Sequence, residues 1–314
     1  MSDYKVVHGT KVQNYAGDPP APFTGQVWYN STSKTSKYFF VNVGTWTTGG
    51  NLNTARNSLA AAGIQTAALA FGGEPDPKAL TESYNGSAWT ELNDLNTGRD
   101  SLGGCGTNTA ALAFAGSSPG AVTELWNGTN WTELNDLNTA RQFLGSAGTS
   151  TAALGFGGTP NSNKTETELW NGTNWTEVND LNTGRGFLAG AGIQTAALGF
   201  GGYNGTATIA VTETWNGTNW TEVNDMNVGR NQLGGAGTNT AALAFGGSEP
   251  DANTAKTENW NGTNWTEVGD LSTAIKPVGA GTNVAALSIG GESPRTAQTE
   301  EWNAGPTTST LGSE

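Results

Sequence analysis

Residues 230–268 read RNQLGGAGTNTAALAFGGSEPDANTAKTENWNGTNWTEV. The stretch breaks into four short β segments. A Gly/Ala-rich piece, LGGAG, leads through a Thr-Asn turn into TAALAFGG. Past a loop, TENW and NWTEV flank an Asn-Gly turn. Asn-Gly between β-forming residues is the strongest short-range hairpin signal. No apolar period near 3.6 competes with this reading.

The pattern recurs along nearly the whole chain. Trp46, Trp89, Trp131, Trp175, Trp220 and Trp265 stand 43, 42, 44, 45 and 45 residues apart. Gly72-Gly73, Ala115-Gly116, Gly157-Gly158, Gly201-Gly202, Gly246-Gly247 and Gly290-Gly291 keep step. Arg56, Arg99, Arg141, Arg185 and Arg230 each lie ten residues after a tryptophan; the sixth unit has Ile275 there, with Lys276 beside it. Four strands every ~40–45 residues predict propeller blades, each needing its neighbours to cover its faces. Small side chains in the first strands suit the narrow centre, and the tryptophans suit the wider gaps outside.

The last unit supplies Thr299 to Trp302 as a third strand and then becomes GPTTSTLGSE, without a fourth. Residues 44–47 form a fourth strand that no blade precedes. Pairing the two predicts an all-β, six-bladed propeller of four-stranded blades, its ring closed by an N-terminal outer strand in the last blade; closure removes an edge that would invite aggregation. The expected domains are an arm with an extra β-hairpin over 1–43, the propeller over 44–303, and a flexible tail over 304–314.

Composition agrees. The 314 residues include 46 glycines, about twice ordinary usage, and charged residues reach only 13%. A net charge of −13 makes nucleic acid and anionic membranes poor partners. Cys105 and His8 are single, which rules out a disulfide, a cysteine-based zinc site and a histidine-based catalytic triad within the chain. No apolar leader or run of membrane-spanning length stands out, and the Asn-Gly-Thr triplets read as turns rather than glycosylation sites.

The Gly-Gly pair after an apolar strand, the acid and aromatic that follow, the second tryptophan and the arginine ten residues on resemble kelch repeats over roughly 44–303. The shortened TAALAFGG and NGTNWTE forms resemble kelch-like virion proteins of marine bacteriophages. The segment GQVWYNSTSKTSKYFF, residues 25–40, is similar to a strand-turn-strand piece of phage tail proteins. The kelch fold also carries galactose oxidase, whose copper needs His and Tyr ligands; one His outside the repeats excludes that activity. The resemblance implies a virion structural protein, in a tail or fibre, assembled in the bacterial cytoplasm.

Within a unit, the turns of one face stay nearly constant, whereas the loops after Gly-Gly diverge: 74–81, 117–123, 159–167, 203–212, 248–257 and 292–299. Varied loops on a rigid scaffold are where binding usually resides. Glu74, Asp76, Asn161, Lys164, Tyr203, Asn204, Glu249, Asp251, Glu292 and Arg295 are the expected ligand-binding residues. Ring closure places the acids of the first, fifth and sixth units in a crescent, with Ca²⁺ at Asp76, Asp251 and Glu292 weighed against plain solvated turns. No other cofactor is expected. The periodic tryptophans and the Arg/Glu series (Glu82, Glu124, Glu168, Glu213, Glu258, Glu300) read as internal packing and bonding rather than a sugar ladder or charged ring. Cys105 reads as an inert buried thiol.

The function expected is host-surface recognition, of glycan or protein, without catalysis. Residues 1–43 would dock other virion proteins, and the protein would act in many copies or as a homo-oligomer. A purely architectural decoration protein is the alternative; a polysaccharide-acting enzyme ranks below it, because no catalytic constellation is visible.

Overall fold

The second strand of each unit is a short apolar run, such as Ala67–Phe71 or Ala242–Phe245, and it is buried on both faces. In the fourth strand only the tryptophan turns inward and the Thr-Glu that follows is exposed, as in Trp89–Glu91. These two patterns place the apolar mass in the middle of stacked sheets. The computed structural model describes residues 12–20, 26–159, 164–292 and 294–310. Among them there is no helix, and antiparallel four-stranded sheets repeat along the chain, consistent with a β-propeller.

Two compact units emerge: residues 44–303, and residues 1–43 together with 304–314. In the larger unit, repeat 1 is built from Ala60–Ile64, Ala67–Phe71, Thr81–Tyr84 and Trp89–Glu91, in that order across the sheet. Repeats 2 to 5 copy it over 103–133, 145–178, 189–222 and 234–267. Repeat 6 has Val278–Gly281, Ala285–Ile289 and Thr299–Thr310, followed across the sheet by Thr35–Thr48. The Thr47 hydroxyl donates to the Glu301 carbonyl on that border.

Successive sheets are joined by the tryptophans. The Trp131 indole N–H donates to Thr81 Oγ1 of the preceding sheet at 3.0 Å. Trp175 does the same to Thr123, Trp220 to Thr167 and Trp265 to Thr212. Trp46 reaches Thr257 at 2.9 Å and Trp89 reaches Thr299 at 3.1 Å. The rings also pack on the second-strand phenylalanines, Phe71 against Trp131 and Phe245 against Trp46. Trp89, Trp131, Trp175, Trp220 and Trp265 are each only 5% exposed, so they are core residues and offer no sugar ladder.

The first strands lie side by side, 60–64 next to 103–107 and so on to 278–281, which lies next to 60–64. At particular glycines their approach is too close for a side chain. A Cβ on Gly190 would lie 2.4 Å from the Ser146 carbonyl oxygen, and one on Gly279 2.3 Å from that of Gly235.

In the smaller unit Gln13–Tyr15 pairs parallel with Val27–Asn30, which forms an antiparallel hairpin with the start of Thr35–Thr48. Asp18 accepts bonds from the Asn30 amide, Lys37 and the Trp28 indole. The Asn30 bond, then Lys37, holds its carboxyl below the usual range. At the other end residues 304–310 continue the strand that begins at Thr299, in place of the flexible tail expected there; residues 311–314 lie outside the described part.

Candidate functional site

Each connection between sheets folds back over the next sheet and is fastened there by a buried acid. Glu213 Oε2 accepts from the backbone N–H and side-chain amide of Asn182, both at 2.8 Å, while the same amide reaches the Trp220 carbonyl. Arg185, fully buried, donates to Glu213 Oε1 at 2.6 Å. Arg56–Glu82, Arg99–Glu124, Arg141–Glu168 and Arg230–Glu258 repeat the pairing at 2.6–3.0 Å. Burial pushes all five guanidinium groups down from their ordinary value, and the acids work against that shift. A guanidinium stays charged regardless, so these pairs are structural fixings. Cys105 is equally withdrawn: burial pushes its thiol up to about 12.

Two residues separate each arginine from the next buried Leu: Asn57-Ser58, Asp100-Ser101, Gln142-Phe143, Gly186-Phe187 and Asn231-Gln232, with Lys276-Pro277 in the sixth place. The second of each pair has left-handed backbone: Ser58 (φ 55°), Ser101 (58°), Phe143 (53°), Phe187 (58°) and Gln232 (50°). Such values are uncommon outside glycine and are sustained only where surroundings impose them. Here a backbone girdle does so. Ser101 N–H donates to the Ser58 carbonyl, Phe143 to Ser101, Phe187 to Phe143 and Gln232 to Phe187, at 2.7–2.8 Å. Pro277 has no N–H to continue the series, and its ring fixes φ near −65°.

The girdle rims a cavity of about 190 Å³ lined by the first strands of all the repeats. Above it opens a wider mouth of about 430 Å³, reached by Asn57, Glu74, Asp100, Glu292, Pro294 and Arg295. Phe143 and Phe187 stand ring to ring, centroids 4.1 Å apart, on one side of the inner cavity. Lys276 and Glu292 line another.

The varied loops join this rim. Asn57 bridges Glu74, Gln142 bridges Thr159, Gly186 bridges Tyr203 and Asn231 bridges Ser248, each through backbone pairing. The structure therefore brings Glu74, Glu292 and Arg295 together at the mouth: Arg295 Nε donates to Asn57 Oδ1 at 2.8 Å and its Nη2 lies 3.8 Å from Glu74. Tyr203 is half-buried at the edge, its hydroxyl donating to the Gly205 carbonyl. Lys164 pairs with Glu166 at 3.1 Å, and Glu249 with Lys256 at 2.9 Å, the Lys256 bond holding the Glu249 carboxyl below its usual range. Asp76, Asn204 and Asp251 are exposed and do not line the mouth. Asn161 lies outside the described residues.

No acidic crescent forms. Glu74 is met by Lys78 and Arg295, Glu249 by Lys256, and Glu292 by Lys276, while Asp76 and Asp251 stand exposed and away from the mouth. Among the described residues no three of His, Cys, Asp and Glu gather into a group able to hold a metal ion. The Ca²⁺ reading at Asp76, Asp251 and Glu292 therefore has no geometric support. Loop 248–257 does reach repeat 6, through the Asn253 amide on the Glu292 carbonyl.

Sequence reasoning passed over the rim residues themselves. Asp100 is the clearest case: it accepts from Lys78 at 2.5 Å and from the Ser101 and Ser117 hydroxyls. Burial works to raise its pKa, but these bonds outweigh it and hold the carboxyl low; the same Asp100 bond pushes Lys78 up. The signal was present as two variable positions between a constant Arg and a constant Leu. No family model matches the chain, and comparison with curated proteins found no match.

Proposed function

We propose that residues 44–303 form a six-bladed, kelch-like β-propeller, closed by the strand around Trp46, that serves as a recognition module. Closure is supported by the tryptophan bonds, which run from sheet to sheet and include both neighbours of repeat 6. The carrying observation is where variation sits. The Asn-Gly turns are near-copies, Asn127, Asn171, Asn216 and Asn261 each accepting the same two backbone N–H bonds. The rim pairs and the loops after Gly-Gly differ in every repeat; four of these loops bridge to rim residues, and the first and sixth reach the mouth. A rigid scaffold with one uniform face and one individual face suits binding rather than catalysis.

The setting in a phage tail or fibre rests on the resemblance of the repeats and of residues 25–40. In this reading the host-surface glycan or protein meets the individual face, residues 1–43 dock other virion proteins, and many copies add avidity. The test is binding of the full-length protein to an array of bacterial surface glycans. The expected result is selective binding weakened at least tenfold by Glu74→Gln with Arg295→Gln and untouched by Thr129→Ala in an Asn-Gly turn. Binding indifferent to the rim variants overturns the assignment of the face, and absence of binding favours an architectural protein.

A further inference from the structure

The mouth is asymmetric, and its asymmetry selects a chemistry. Phe143 and Phe187 put an apolar double ring on one arc of the girdle. The remaining arc carries Ser58, Ser101, Gln232, Asn57 and the charged groups. Glu74, Asp100, Glu292 and Arg295 line the mouth, and Lys78, behind its lining, and Lys276, in the inner cavity, complete the balance, so that each acid is paired with at least one cation. An ionic ligand would have to break a pair to be matched. A neutral ligand with many hydroxyls can instead use the lone pairs and protons that those pairs leave over.

Size and rigidity point the same way. A mouth of about 430 Å³ lies within the roughly 300–1,000 Å³ usual for small-ligand sites. The girdle bonds fix five left-handed residues before any ligand arrives, which lowers the ordering cost of binding. The break at Pro277 leaves the Gln232 carbonyl without the girdle donor that the other carbonyls receive, on the polar arc beside Lys276 and Glu292.

We infer that this mouth binds one uncharged sugar ring at the end of a glycan, its C–H face on Phe143, which Phe187 backs from the inner cavity, and its hydroxyls toward Asn57, Ser58, Ser101 and Gln232. The inference rests on the recognition reading above and adds its site and ligand class.

The experiment is saturation-transfer NMR on the full-length protein with galactose, glucose, mannose, rhamnose, N-acetylglucosamine and N-acetylgalactosamine, alongside glucuronate and N-acetylneuraminate. The expected result is transfer to ring C–H protons of at least one neutral sugar. Phe143→Ala should weaken that binding at least tenfold, and Gln232→Trp, which fills the mouth from a different repeat, should abolish it while leaving the melting curve in place. Asp251→Ala, on an exposed loop away from the mouth, should change nothing. Binding confined to the two anionic sugars, or retained in Gln232→Trp, overturns the inference; if array glycans still bind in that variant, the recognition reading survives with its site on the outer loops. Absence of every sugar in both assays overturns the inference and removes the glycan from the recognition reading as well.

Discussion

The connection that enters repeat 4, residues 179–188, and the one that enters repeat 6, residues 269–278, follow the same path with different chemistry. In the first, Asn182 and Arg185 share Glu213 between them. In the second, Ser272 and Ile275 stand in those places, yet Glu300 remains, 1% exposed. Its Oε2 still takes a backbone N–H, from Ser272 at 2.9 Å, and its Oε1 takes the Gln298 side chain at 2.9 Å where a guanidinium would be. Ile275 is itself buried, and its carbonyl receives the Gly247 N–H as the Arg230 carbonyl receives that of Gly202. The acid is therefore what fastens the connection. The arginine is one way of satisfying the acid, and an amide two residues before it in sequence is another.

The largest expected effect breaks the connection's outer neighbour altogether. Removing residues 1–48 deletes Trp46, which packs on Phe245 and Trp302 and bonds Thr257. Trp46 is half-buried, and together with the strand pairing that goes with it its loss should cost about 3–5 kcal/mol. At roughly 2–4 °C per kcal/mol for a unit of this size, the melting temperature should fall by about 6–20 °C. An unchanged value is incompatible with the proposed closure.

Next comes the acid itself. Arg141→Met leaves Glu168 buried with only the Asn138 and Thr139 donors. Denaturant titration should show a loss of about 3–5 kcal/mol, the usual result of stranding one member of a buried pair. Adding Glu168→Gln should recover part of it. If the single variant costs nothing, repeat 3 already tolerates what repeat 6 achieves through Gln298.

Gln298→Ala sharpens the contrast from the other side. Glu300 then keeps only its backbone donor, and the expected loss is about 1.5–3 kcal/mol, typical of a hydrogen bond to a charged group. The same exchange at Val211, the corresponding place in repeat 4, removes no bond to Glu213 and should cost less.

The smallest effect belongs to the mouth. Asp100 has a depressed folded pKa, so its stabilisation is full above the unfolded value near 3.9 and disappears as pH falls through the folded value. Lys78→Met should therefore lower stability by about 1 kcal/mol near pH 7, and the difference from wild type should close in acid. A gap that persists at pH 2 would assign the loss to packing of the lysine stem.

The sequence made the repeat, the turns and the internal role of the tryptophans and arginines legible, because each is a periodic feature with a single physical reading. The rim was harder. Nothing in Ser58, Phe143 or Gln232 announces left-handed backbone, which comes from girdle bonds between residues some forty positions apart. Glu74, Glu292 and Arg295 were legible as loop residues of interest, but their pairing with Lys78, Lys276 and Asn57 was not, and the acidic crescent failed for that reason. Gln298 was invisible too, since its value appears only where the arginine is missing.

Closure of the proposed ring depends on the contacts of repeat 6 with both of its neighbours. Hydrogen exchange of the six fourth-strand indole N–H groups reads this directly, because Trp46 and Trp89 bridge repeat 6 to its neighbours while the other four bridge repeats 1 to 5. A closed ring predicts that Trp46 and Trp89 exchange within about tenfold of Trp131, Trp175, Trp220 and Trp265. Near-free exchange at those two positions, with the other four protected, would contradict it.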